Sequence, residues 1–145
     1  MNGKPSEARL IFPGLAGFYA SAREIGYLLV RVTAGGCLLY HGWGKLMAGA
    51  PFASMARYGI PLPTVSAYFV VFLETVGAIC IILGLATRFF AAAIAIEMAI
   101  IAFIVQMPQG FARMELFLLW GVVMFAISLR GGGPYSLDCK IGQEL

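Results

Sequence analysis

Charge is what this sequence has least of. Only 12% of its residues are Asp, Glu, Lys or Arg, against 61% hydrophobic, and the mean hydropathy is +0.88. A water-soluble domain of this size hides only about two thirds of the surface its chain exposes, so so much apolar side chain excludes a soluble domain. Histidine occurs once, as His41, which excludes a haem held by two axial histidines. The paired Glu-x-x-His motifs of a carboxylate-bridged di-iron site are absent as well. Cys37, Cys80 and Cys139 form no CxxC pair and no zinc or disulfide spacing, and read as small apolar packing residues. Gly131-Gly132-Gly133-Pro134 lacks the Lys-Ser/Thr of a phosphate loop. The basic residues stand singly, without a patch for nucleic acid. No haem, flavin or metal site is evident, so any redox chemistry needs a diffusible or partner-borne cofactor.

What the sequence has in quantity is long apolar runs. A hydrocarbon slab about 30 Å thick takes about 20 residues of helix, and four stretches qualify: 25–47, 64–85, 88–107 and 113–129. The expected fold is all-α, an integral membrane four-helix bundle over 25–130, embedded in a lipid bilayer. Residues 1–24 read as an interfacial segment, because Pro13, Gly14 and Gly17 interrupt the stretch 10–20. Ala20-Ser21-Ala22 has the form of a signal cleavage site, but Glu7 and the Pro and Gly content speak against one. Between the first two spans, Phe52, Met55 and Ala56 recur at helical spacing before a Gly59-Ile60-Pro61-Leu62-Pro63 break, which predicts a short amphipathic surface helix. The connection 84–88 is tight and makes its flanking spans antiparallel neighbours. Residues 131–145 form a polar tail. With four spans, Lys4, Arg9, Arg23, Arg88, Arg130 and Lys140 fall on one side and Lys45, Arg57 and Arg113 on the other. That bias places the termini in the cytoplasm.

A charge at the bilayer centre costs about 2.5 to 3.5 kcal/mol even on lenient scales, so Arg31, Glu74, Glu97 and Glu115 need partners or a purpose. Counting about 1.5 Å per residue from the span ends puts Arg31 at about 9 Å, Glu97 at about 14 Å and Glu74 at about 16 Å. These three are expected to form one buried ionic cluster. It is either a structural pair that fixes helix register or part of a solute or proton pathway. Glu97 is alternatively held neutral by apolar surroundings. The same count puts His41 at about 24 Å and Glu115 at about 22 Å, a second polar layer. Arg31, Leu38 and Lys45 repeat every seven residues, with His41 one turn before Lys45, so one broad face of the first helix is expected to point inward. His41 beside Glu115 or Lys45 either passes protons or hydrogen-bonds a carbonyl; alternatively it anchors at the interface. Tyr40 and Trp43 are interfacial belt residues or ligand stackers, and the methionines fill space.

Arg31-Val32 and the glycines after it, His41-Gly42-Trp43-Gly44-Lys45-Leu46, Gly59-Ile60-Pro61, Glu74 with Gly77, Leu83-Gly84-Leu85-Ala86-Thr87-Arg88, and Gly131 to Asp138 with its Ser-Leu-Asp ending together resemble the DoxX family. The likeness runs over about 25–138, and its specificity lies in the joint order of motifs. The resemblance implies a small bacterial or archaeal inner-membrane protein of four helices, related to the membrane subunits of thiosulfate:quinone oxidoreductases and to proteins of thiol-redox complexes. The family-matching positions are Arg31, His41, Lys45, Glu74, Arg88, Ser136 and Asp138; Glu97 and Glu115 rest on the depth count.

On this reading His41, Lys45 and Glu115 are the candidate catalytic residues, and His41, Lys45 and Trp43 bind a diffusible quinone between helices. A partner subunit or soluble donor supplies the electrons. The alternatives are a non-catalytic assembly or anchoring protein and a small solute or proton pathway along Arg31, Glu74 and Glu97.

Overall fold

The computed structural model describes residues 10–49 and 52–144, the side chains of 52–54 excepted. Among them every regular element is helical. A 3₁₀ turn opened by Pro13 leads into α1, Ala16–Met47. One helix thus runs through residue 25, where the first span is expected to begin. The proline sits where no helical N–H is lost. Residues 1–9 of the expected segment, with Lys4, Glu7 and Arg9, lie outside the described residues.

The short helix after the first long run is α2, Phe52–Arg57. It is closed by Gly59 at φ +68° and Leu62 at φ +49°, and Pro63 then opens α3, Pro63–Leu83. Gly84 at φ +71° and Ala86 at φ +46° reverse the chain into α4, Thr87–Gln109. Gly110 then leads into α5, Phe111–Arg130. A short α6, Leu137–Ile141, ends the described chain. Both α3 and α4 contain a π-helical turn, Leu73–Gly77 and Ile101–Gln106, an irregularity that frequently accompanies functional sites.

The long helices pack in chain order, α1 on α3, α3 on α4 and α4 on α5, around Leu38, Leu73, Ile81, Ile94, Met98, Met124 and Ile127. Two glycines let α1 and α3 approach. A Cβ at Gly35 would stand 2.7 Å from the Ile82 side chain, and one at Gly42 would fall on the Glu74 carbonyl. Such contact through small residues is how helices associate where lipid is the solvent.

The distribution of polarity is inside-out. Arg31, Glu74, Glu97 and Asp138 are buried, while Phe69, Ile96, Leu119, Val122 and Leu129 are each more than half exposed. An apolar exterior of this extent belongs in a bilayer, and α3, α4 and α5 are each long and apolar enough to cross one. This is a multi-pass membrane protein. The longest helix, α1, does not meet the same measure, because Arg31, His41, Lys45 and several glycines dilute its hydropathy.

Candidate functional site

Two polar clusters lie at different levels of the bundle, one at the α3–α4 turn and one about midway along α3 and α4. The first surrounds the α3–α4 turn. Arg31 donates to the Ile81 carbonyl at 3.2 Å and to the Tyr135 carbonyl at 2.6 Å, with Gly84 packed against its guanidinium. Asp138 accepts from the N–H groups of Ala86 at 2.7 Å and Thr87 at 2.9 Å, and from the Thr87 hydroxyl at 2.7 Å. It thereby caps α4 from a distant part of the chain, where the positive end of the helix favours a carboxylate. Ser136 caps α6 through the Cys139 N–H at 3.0 Å. Arg88 donates to the Leu129 carbonyl at 2.7 Å and pairs with Glu144 at 2.7 Å, and Arg130 pairs with Glu24 at 2.7 Å. Tyr27 donates to the Gly131 carbonyl. The polar tail is thus a clasp folded back across the helix ends.

Arg31 therefore corrects one expectation: it does not join Glu74 and Glu97. The depth count took position 25 as the start of the first helix at the level of the membrane plane, whereas α1 starts at Ala16 and runs past the end of α3. Arg31 consequently stands level with Gly84, about 15 Å of helix away from Glu74.

The second cluster holds the acids. Lys45, one side chain half-buried, places Nζ 2.5 Å from a Glu74 oxygen, whose carboxyl is 3% exposed. The π-helical turn carries Glu74 on α3, and the close α1 contact at Gly42 holds the two helices in register. Glu97 on α4 is 7% exposed, and neither of its carboxyl oxygens has a hydrogen-bond partner; the second Glu74 oxygen has none either. Lys45 and Glu97 both line a cavity of about 500 Å³. The rest of its wall is almost wholly apolar, with Met55 and Ile60 from the α2 region, Phe69 from α3, Ile96 and Ile100 from α4 and Phe117 from α5. Tyr58, Ser66 and Gln106 are the few neutral polar groups in the lining. Phe69, Ile96 and Ile100 are also exposed on the outside, so the cavity opens sideways between α3 and α4.

The stripe Arg31, Leu38 and Lys45 does face inward, with Ala34, Gly35 and Gly42. His41 lies beyond its edge and is exposed, its ring edge-on to Tyr40 at 5.8 Å, and Trp43 is 57% exposed. Glu115 is exposed too: it lies nine residues before the buried Met124, about half a turn around α5. The structure thus brings Lys45 to the interior and leaves His41, Trp43 and Glu115 outside the cavity. Among the described residues no group of His, Cys, Asp and Glu is arranged to hold a metal. Tyr58, Gln106 and the apolar wall were not singled out in the sequence; Gly59-Ile60-Pro61 marks that wall, but nothing in the motif says which way its neighbours point.

The DoxX family model matches residues 26–107, more than half of the chain. The chain belongs to the DoxX family. No curated protein and no solved structure matches it. The matched region runs from α1 to the end of the α4 π-turn and contains Arg31, Lys45, Glu74 and Glu97, so the α3–α4 turn and all of the cavity lining except Phe117 fall within the DoxX region. α5 and the Gly131 to Asp138 clasp lie beyond it.

Proposed function

We propose that this DoxX protein is the membrane subunit of a quinone-linked redox complex and that the cavity lined by Lys45 and Glu97 receives the quinone head group. The family includes quinone-linked oxidoreductase subunits. The observation that carries the reading is a buried acid without a partner, Glu97, facing the same apolar space as Lys45. Binding sites for small apolar molecules combine such a wall with a few convergent polar groups.

A bound quinone supplies acceptance of two electrons and two protons. What the chain supplies is position. Lys45 has donors beyond the one given to Glu74 and turns them toward a carbonyl oxygen; Glu97 offers a second polar contact; the apolar wall of Phe69, Ile96 and Ile100 excludes water and admits the molecule from lipid. Electrons come from a partner subunit or a soluble donor such as thiosulfate or a thiol. In this reading α1 crosses the membrane as a fourth span, its Arg31 satisfied by the Ile81 and Tyr135 carbonyls, and the bundle lies in the inner membrane with cytoplasmic termini. Purification in mild detergent followed by extraction of bound lipid tests it. Quinone recovered with the protein, and quinone analogue reduced by the purified complex, are expected; absence of both counts against the redox reading and in favour of an assembly role.

A further inference from the structure

Beyond Glu24, which pairs with Arg130, three carboxyls of the long helices face three different environments. Glu74 is bound to Lys45 at 2.5 Å. Glu115 is exposed on the far side of α5. Glu97 is buried with neither oxygen paired. The charged groups near it are Lys45 from α1 and Glu74 from α3; α5 contributes only Phe117 to the cavity wall, and Tyr58 is the remaining titratable lining group. Lys45 gives its hydrogen bond to Glu74 and none reaches Glu97, so a carboxylate at Glu97 would lack a bound donor in an apolar enclosure, a state that burial strongly disfavours. The neutral acid suffers no such conflict. The cavity beside it opens between α3 and α4 past the exposed side chains of Phe69, Ile96 and Ile100.

We propose that Glu97 is a proton-carrying acid reachable from the lipid, and that Glu74 is a positioning residue that keeps Lys45 from capturing it. The proton on Glu97 is the one a bound quinone would meet, and only that clause rests on the quinone reading.

The test is labelling of the purified full-length protein at neutral pH with dicyclohexylcarbodiimide, which adds to a protonated carboxyl in an apolar site and rearranges to a stable N-acylurea, located by peptide mass spectrometry. An adduct is expected on Glu97 and not on Glu74, with a water-soluble carbodiimide giving at least tenfold less. Glu97→Gln removes the adduct. In Glu74→Gln the released Lys45 turns to Glu97, and its labelling falls severalfold; in Lys45→Gln the adduct persists on Glu97 and a second appears on Glu74. An unlabelled Glu97 in folded protein, equal labelling of Glu74 and Glu97, or equal reaction with the water-soluble reagent would each overturn the proposal. A saturating short-chain benzoquinone is expected to protect Glu97. Labelling that this compound leaves unchanged upholds the acid and overturns the quinone reading.

Discussion

Lys45 Nζ stands 2.5 Å from Glu74 Oε1, joining α1 to α3 beside the cavity. Removing one partner of a buried pair leaves an uncompensated charge and costs about 3–5 kcal/mol; because Lys45 is one-third exposed, the lower end applies here. Lys45→Met is expected to lower the melting temperature in detergent by several degrees, and Glu74→Gln by less, since there Lys45 turns to Glu97. The double variant is expected to recover most of that loss, and additive losses would show that the pair carries no coupling.

The approach of these helices depends on Gly42, where any Cβ would collide with the Glu74 backbone. Overpacking of this kind costs about 1–3 kcal/mol, so Gly42→Ala is expected to destabilise the protein and weaken the Lys45–Glu74 contact. Gly36, on the same helix, has nothing near its Cβ position, and Gly36→Ala is expected to be neutral or stabilising by up to about 1 kcal/mol. Thermal unfolding of the two variants side by side checks this; equal effects would contradict the close approach.

Asp138 holds the start of α4 through Ala86 and Thr87. Loss of such a cap costs about 0.5–2 kcal/mol, and stranding the Thr87 hydroxyl and N–H adds to it. Asp138→Ala is expected to raise amide exchange at residues 86–88 and in the clasp 131–141 while leaving the Lys45 end protected. Uniform loss of protection along the chain would show that the clasp is not a separate unit.

Much of this architecture is legible in the sequence, and the failures have identifiable causes. The seven-residue spacing of Arg31, Leu38 and Lys45 gave the inner face of α1 because helical period alone decides it, and the glycines and prolines around 59–63 and 84–88 marked the turns. The partners of Arg31 were not legible, because they are the Ile81 and Tyr135 carbonyls and a carbonyl has no residue-type signature. Glu115 was misplaced because α5 is apolar on all sides, so its sequence does not reveal which face meets the core. The clasp left a faint signal in Ser136 and Asp138, a capping residue and an acid in the first turn of α6, but its distant targets did not.

The outward placement of His41 and Glu115 separates the sequence-based site from the one in the structure. His41→Ala and Glu115→Ala are expected to change stability by less than about 0.5 kcal/mol, as exposed substitutions do, and to leave quinone reduction by the complex intact. A large loss of turnover in either would return those residues to the mechanism.

Quinone binding in the cavity lined by Lys45 and Glu97 is the proposal on which the redox function rests. Its most direct test is an equilibrium titration of the purified protein with a short-chain benzoquinone, comparing wild type, His41→Ala and the charge-neutral pair Lys45→Gln with Glu74→Gln. Saturable binding that survives in His41→Ala and weakens about tenfold in the paired variant, equivalent to about 1.4 kcal/mol, is the expected result. No saturable binding, or equal affinity in all three proteins, would contradict it.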